Sequence, residues 1–161
     1  MGAIKFNAEE VLEMAAQIEV NGAAFYRKAA SFNEEGRELL TAMAEQEDQH
    51  IAMFKEMKAN LPASDSQDTA FDPDNEAALY LKAMADANVF NLDNNDPDSK
   101  LDGTESLDEI IKEGLRAEKE SIIFYTVLKD MVPANLGQEK IDAIIKEEVK
   151  HITWLINRKI V

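Results

Sequence analysis

The chain has two histidines, and each follows a glutamate by three positions: Glu47-Asp48-Gln49-His50 and Glu148-Val149-Lys150-His151. Positions i and i+3 share one face of an α-helix. If both stretches are helical, each presents a carboxylate and an imidazole to one point in space, as a metal ion requires of its ligands. One such pair is a weak signal. Two are stronger, and the elements that carry them strengthen the case further.

Four long segments have helical periodicity. The first runs from Asn7 to about Phe32 and opens with a capping box, Asn7-Ala8-Glu9-Glu10. Its inward stripe reads Leu12, Ala15, Ala16, Glu19, Gly22, Ala23, Tyr26 and Ala30, so one acid sits in the middle of an apolar or small face. Asn33-Glu34-Glu35-Gly36 is a short turn, which sets the second helix antiparallel to the first. That helix spans about Arg37 to Asn60, with Leu40, Met43, Glu47, His50, Phe54 and Met57 inward, and Leu61-Pro62 ends it. The third begins at a second capping box, Ser106-Leu107-Asp108-Glu109, and ends near Met131 before Val132-Pro133. Its stripe is Ile111, Leu115, Glu118, Ile122, Tyr125 and Leu128. Asn135 to Gln138 is expected to cap the fourth, which continues to about Arg158 with Ile141, Ile144, Glu148, His151, Ile152 and Leu155 inward.

Between the second and third helices, residues 61–75 are rich in Ser, Asp and Pro and read as a surface loop. Residues 75–90 hold a shorter helical pattern in which Ala78, Leu81, Ala85 and Val89 share a face. Asn91 to Gly103 is polar. Its Asp93-Asn94-Asn95-Asp96-Pro97 run places Pro at the third ligand position of a calcium loop and lacks the turn Gly, so that template fails. A helix of about 25 residues is about 37 Å long. A connection as long as residues 61–104 can run that distance, so the third helix need not be antiparallel to the second.

The chain repeats itself. Glu19 with Phe25-Tyr26 parallels Glu118 with Phe124-Tyr125 at an offset of 99, and the stretch from Ala42 to Ile51 parallels Ala143 to Ile152 at an offset of 101. Two hairpins, each carrying one Glu and then one Glu-x-x-His, predict an all-α four-helix bundle with approximate two-fold symmetry. Four glutamates and two histidines then face one interior. Buried carboxylates are very costly unless compensated, and no Lys or Arg falls at the matching core positions. Two divalent cations would balance four carboxylates. One Glu from each of two helices and one Glu-x-x-His from each of the other two is the ligand set of dimetal carboxylate sites in bundles. Mixed carboxylate and imidazole donors suit iron or manganese, and zinc would also bind. Glu47 and Glu148 are the natural bridging ligands, Glu19 and Glu118 terminal ones, and His50 and His151 each ligate one ion as neutral imidazole. Tyr26 and Tyr125 share the stripes of Glu19 and Glu118. They read either as hydrogen-bond donors to ligand carboxylates or as core aromatics. Trp154 and the seven methionines read as core.

Composition narrows the remaining classes. The absence of cysteine excludes disulfides, iron–sulfur clusters and thiolate zinc. A net charge of −15 argues against nucleic acid and anionic membrane surfaces as partners, and reads as a solvated acidic surface or as one that concentrates cations. No apolar run is long enough to span a bilayer. The N-terminus lacks a basic region followed by an apolar run, so no signal peptide and a cytoplasmic location are expected. The length suits one domain covering 1–161.

Glu19…Tyr26, Glu47-x-x-His50, Glu118…Tyr125 and Glu148-x-x-His151, with the long central crossover, resemble the rubrerythrin diiron domain of the ferritin-like superfamily over nearly the whole chain. The resemblance implies a ferritin-like antiparallel bundle of two hairpins joined by a long crossover with a short extra helix. It also implies a site of two iron ions that reacts with hydrogen peroxide or dioxygen, commonly in a homodimer or larger assembly. Rubrerythrins proper add a four-cysteine rubredoxin domain and an extra glutamate on the third helix. Here Leu115, Ser121 and Ile122 lie one turn either side of Glu118, and Glu120 falls on another face. The nearer resemblance is to short rubrerythrin-like proteins without the rubredoxin domain. The expected activity is an oxidoreductase reducing peroxide or dioxygen with electrons from an external donor. The alternatives are a ferroxidase or iron-binding protein, and a metal-stabilised, non-catalytic bundle.

Overall fold

A computed structural model describes residues 7–62, 76–86, 101–132 and 134–161. Five α-helices lie among them: α1 (Ala8–Phe32), α2 (Arg37–Ala59), α3 (Glu76–Asp86), α4 (Leu107–Met131) and α5 (Gln138–Asn157). A 3-10 turn at Ala134–Leu136 precedes α5, and there is no strand among the described residues. None of these helices is long and apolar enough to cross a membrane.

α1 and α4 start in the same way. The Asn7 side chain accepts from the Glu10 N–H at 2.8 Å, and the Glu10 carboxylate accepts from the Asn7 N–H at 3.0 Å. Ser106 and Glu109 repeat the reciprocal pair at 3.3 and 2.8 Å. Each box satisfies backbone donors that the first helical turn leaves without partners. α5 starts within the expected stretch 135–138 but without a side-chain cap. Its N-cap is Gly137, in a left-handed conformation with φ 132° that favours glycine, and no side chain caps it. Asn135 is taken up by the 3-10 turn. Gln138 faces backward instead, donating to the carbonyls of Lys129 and Val132 at 3.0 and 2.8 Å and so closing the end of α4.

Packing fixes the topology. α1 lies beside α2 and α4, and α5 lies beside α4 and α2. The first half of α1 (Val11, Leu12) shares an apolar cluster with Phe54 and Met57 at the end of α2, Leu128 at the end of α4, and Ile141 at the start of α5. The second half of α1 (Phe25, Ala29) shares another with Leu40 and Met43 at the start of α2, Ile110 at the start of α4, and Leu155 at the end of α5. All four neighbouring pairs are therefore antiparallel, while α2 and α4 run the same way. The connection between them returns from one end of the bundle to the other, as its length anticipates.

Three inward stripes differ in detail from expectation. On α1, Ala16 and Gly22 are only half-buried, and Val11, Ile18 and Phe25 are inside. On α4, Leu115 and Ile122 are only half-buried, and Gly114, Ser121 and Phe124 take the interior. On α5, Ile152 is half-buried and Trp154 is inside. The α4 and α5 faces both move toward one side by less than the roughly 100° that separates successive residues, because Glu118, Tyr125, Glu148 and His151 stay buried. On α3, Leu81 is fully buried in the first cluster with Tyr80 and Met84 beside it. The other positions expected on its face, Ala78, Ala85 and Val89, lie outside the described side chains. So do most of the two expected loops. Of the second, Leu101 is buried in the other cluster and the Asp102 carboxylate accepts from the Thr104 N–H at 2.9 Å.

Candidate metal centre

The two apolar clusters are separated by a polar layer at mid-height. Glu19, Glu47, His50, Glu118, Glu148 and His151 are all at most 4% exposed, and both histidines are fully buried. They form two overlapping groups whose donor atoms lie within 4.8 Å of one another: Glu19, Glu47, His50 and Glu148, and Glu47, Glu118, Glu148 and His151. Glu47 and Glu148 belong to both. That is the sharing a pair of adjacent cations needs.

Each histidine turns Nδ1 inward. His50 Nδ1 lies 3.0 Å from Glu148, 3.3 Å from Glu19 and 3.7 Å from Glu47. His151 Nδ1 lies 3.0 Å from Glu148, 3.5 Å from Glu47 and 3.6 Å from Glu118. The two rings stack with centroids 5.6 Å apart. Trp154 packs on His151 at 5.7 Å and donates its indole N–H to the Val161 carbonyl at 3.1 Å, with the Lys150 ammonium over its ring.

The tyrosines reach across the bundle. Tyr26 O–H donates to Glu118 at 2.5 Å, and Tyr125 O–H donates to Glu19. Neither serves the glutamate on its own helix, because seven residues along a helix is about 10 Å. Instead each hairpin positions a carboxylate of the other. Burial raises both phenols well above their ordinary range, and the neighbouring carboxylates add to it, so both stay protonated donors.

The electrostatics describe a site built for cations. Among the described residues, no Lys or Arg pairs with any of the four carboxylates. Burial, then repulsion from Glu19, Glu148 and Glu118, pushes the Glu47 carboxyl well above the usual range. Burial and the charges of Glu118 and Glu19 push Glu148 up to about 8. Burial also acts to raise Glu118, but hydrogen bonds from Glu148, His151 and Tyr26 outweigh it and hold this carboxyl low. For His50, burial favours the neutral ring, yet hydrogen bonds to Glu148, Glu19 and Glu47 drive its basicity far up. The same balance against Glu118 and Glu148 brings His151 up to about 9. Without cations the cluster must hold extra protons. Even so, among the described residues Glu148 Oε1 receives no well-directed hydrogen bond, although His50 Nδ1 is close. Two divalent ions would replace those protons, take up the bare oxygen and accept both Nδ1 lone pairs. The residues fit a dimetal centre.

A family model described as rubrerythrin matches residues 10–157.

The chain belongs to the rubrerythrin family.

A crystal structure of a protein described as ferritin-like and diiron-carboxylate, from Thermotoga maritima, is similar over 96% of this chain and 95% of that chain, with a TM-score of 0.67 and 23% identity. At that identity the likeness shows the ferritin-like fold. No curated protein matches the chain. Within the rubrerythrin frame, Ser121 is buried one turn beyond Glu118, and Glu120 pairs with Arg116 at 2.5 Å on the flank of α4. No additional carboxylate among the described residues enters the two donor groups. Sequence reading overlooked one polar contact. Glu147, next to Glu148, accepts a 2.7 Å hydrogen bond from the outer nitrogen of His50. The signal was present as an acid in the repeat that aligns with Gln46.

Proposed function

We propose that the six residues hold two iron ions, with Glu47 and Glu148 bridging, and that the protein reduces hydrogen peroxide or dioxygen with electrons from an external donor. The observation that carries this reading is the pair of donor groups that share two carboxylates. When bound, two ferrous ions supply two electrons, the number that converts peroxide and two protons into two waters. The chain's own residues supply the setting. The apolar clusters on either side exclude water from the ligand layer. Tyr26 and Tyr125 fix the terminal carboxylates by donating to one oxygen of each, leaving the other for a cation. A donor is needed because the 161 residues contain no cysteine for an iron–sulfur or rubredoxin-type relay. Self-association as a homodimer belongs to the proposal. It is supported by Val149 and Ile156, which are exposed two turns apart on α5 with half-buried Ile152 between them.

The test is the metal content of protein purified without added metal, followed by rapid mixing of the reduced, iron-loaded form with peroxide and with dioxygen. Two irons per chain, oxidised faster by peroxide, support the peroxidase reading. Oxidation mainly by dioxygen moves the assignment to an oxidase or ferroxidase, the second reading that the charge of −15 favours by drawing in Fe(II). A stable fold that takes up no metal would remove the basis for both.

A further inference from the structure

The two halves of the centre are alike in their inward ligands and unlike behind one of them. His50 Nε2, on the far side of the ring from the donor cluster, lies 2.7 Å from Glu147 Oε2. A carboxylate only accepts, so Glu147 keeps a proton on Nε2, and the proton that a cation displaces is the one on Nδ1, held among Glu19, Glu47 and Glu148 in the metal-free chain. Glu147 is itself 40% exposed at its side chain, so it keeps contact with water while gripping a buried ring. His151 has no such support. Its Nε2 is buried and has no hydrogen-bond partner among the described residues. In the repeat, the residue before Glu148 is Glu147 and the residue before Glu47 is Gln46. In the repeat, then, a neutral amide, Gln46, corresponds to the anion Glu147. Even an amide oxygen turned onto His151 Nε2 would accept only a neutral hydrogen bond, weaker than one to a carboxylate.

We infer that Glu147 is a positioning residue that makes the two metal positions unequal: the position formed by Glu19, Glu47, His50 and Glu148 binds a divalent cation first and more tightly, and the position with His151 fills second. The physical basis is twofold. The Glu147 hydrogen bond fixes both the tautomer and the ring orientation of His50, and an anionic acceptor raises the donor strength of the opposite nitrogen. His151 must select its tautomer without help and carries an unsatisfied buried N–H when it ligates. Outer partners of this kind change metal affinity by roughly 10- to 100-fold. The inference rests on the dimetal reading, and its test separates the two.

The experiment is a titration of metal-free protein with Co(II), followed by visible absorption and by the exchangeable, paramagnetically shifted histidine N–H proton resonances. The wild-type chain is expected to bind two Co(II) in separate steps about 10- to 100-fold apart, with one shifted N–H proton appearing in the first. Glu147→Gln preserves shape and removes charge. It weakens the first step by about 10-fold or more and merges the two. Gln46→Glu is the independent arm, since it tightens the second step and slows exchange of the second N–H proton. The double exchange, Glu147→Gln with Gln46→Glu, restores two steps in the reverse order. Two equal Co(II) sites in the wild-type chain, or a first step unmoved by Glu147→Gln, would overturn the inference and leave the dimetal centre standing. Failure to bind Co(II) at all would overturn both.

Discussion

The α1–α2 hairpin and the α4–α5 hairpin place the same kinds of residue at the same level of the bundle, yet they pack differently. In the first hairpin the buried faces are rich in alanine: Ala8, Ala15, Ala23, Ala29, Ala30 and Ala44. Small side chains let α1 and α2 approach closely along their length. In the second, the small buried residues are Gly114 and Ser121, while Ile110, Phe124, Ile141, Ile144 and Trp154 fill the space, and α4 and α5 approach closely over less of their length. The lesson is that the glutamate–histidine layer does not depend on one packing solution. It depends on register along each helix and on bonds that cross between hairpins: Tyr26 to Glu118, Tyr125 to Glu19, and His50 to Glu147. Interiors tolerate varied apolar fillings provided volume and pattern are kept. The donor positions have no such latitude.

The largest effects should come from the carboxylates that both halves share. Glu47→Ala or Glu148→Ala is expected to take bound iron from two per chain to none, because each belongs to both donor groups. Glu19→Ala or Glu118→Ala should each leave one. Metal analysis after reconstitution decides it. Equal losses at all four positions would break the distinction between shared and unshared ligands. Glu148→Gln carries an opposite second effect at high pH: near pH 9, above the value of about 8 to which Glu148 is pushed, it removes charge from a crowded, buried cluster and should raise the thermal midpoint of the metal-free protein, while near pH 5, where Glu148 is protonated, that gain should vanish.

Metal removal and pH sharpen the same point. Glu148 titrates near 8 in the folded chain against 4.5 normally, and His151 near 9 against 6.5. Both bind protons more tightly folded than unfolded. Their contribution to stability is full below the unfolded values and is lost as pH rises through the folded ones. Glu118 is held low and works in the opposite sense, losing its contribution as pH falls below the ordinary carboxylate range. The metal-free protein should therefore be most stable near pH 5 and weaken steadily toward pH 9. The metal-loaded protein should not, because cations replace the protons and bind more tightly as pH rises. Thermal melts of both forms from pH 4 to 9 check this. Parallel curves would contradict it.

The crossed tyrosines offer a symmetry test. Tyr26→Phe and Tyr125→Phe each strip a donor from a buried carboxylate. Each should cost about 1–3 kcal/mol in denaturant unfolding of the metal-free protein. The Tyr26 change should act on the cation position that contains Glu118, and the Tyr125 change on the one that contains Glu19. A helix-by-helix pairing, with Tyr26 acting on Glu19, would contradict the crossed bonds.

Much of this was legible from residues alone, for physical reasons. Capping boxes are local, so Asn7–Glu10 and Ser106–Glu109 could be read directly, and both form. An acid in an apolar stripe stands out because burying it costs so much, which is why Glu19, Glu47, Glu118 and Glu148 could be placed inside. The misreadings occur where the signal is not local. Leu115 and Ile122 fit the α4 period as well as Gly114 and Phe124 do, and only the neighbouring helices decide between them. The cap of α5 falls within the expected stretch 135–138, and only the backbone shows that Gly137, with positive φ, is the residue that takes it. Glu147 was hidden because its partner lies 97 residues away on another helix.

The smallest predicted effect separates two glycines on the inner faces of α1 and α4. A methyl group at Gly114 would lie 3.0 Å from the Tyr26 hydroxyl and 3.2 Å from Leu155 Cδ1. Both neighbours are buried and fixed, one by its bond to Glu118 and the other by the core. Overpacking of this kind costs about 1–3 kcal/mol, against a helix-propensity gain of up to about 1 kcal/mol for Gly→Ala. Gly114→Ala should therefore destabilise the chain by about 1 kcal/mol, with part of the cost appearing as a weaker Tyr26–Glu118 bond. At Gly22 the same methyl meets Glu47 at 3.5 Å, an ordinary contact that requires no movement. Here the propensity gain is unopposed, and Gly22→Ala should stabilise by about 0.5–1 kcal/mol with metal stoichiometry unchanged. Equilibrium unfolding of the two variants gives the signs. Two stabilising substitutions would mean that α4 has room to move away from Tyr26, and that the crossed hydrogen bond is held less rigidly than its partner in the other half.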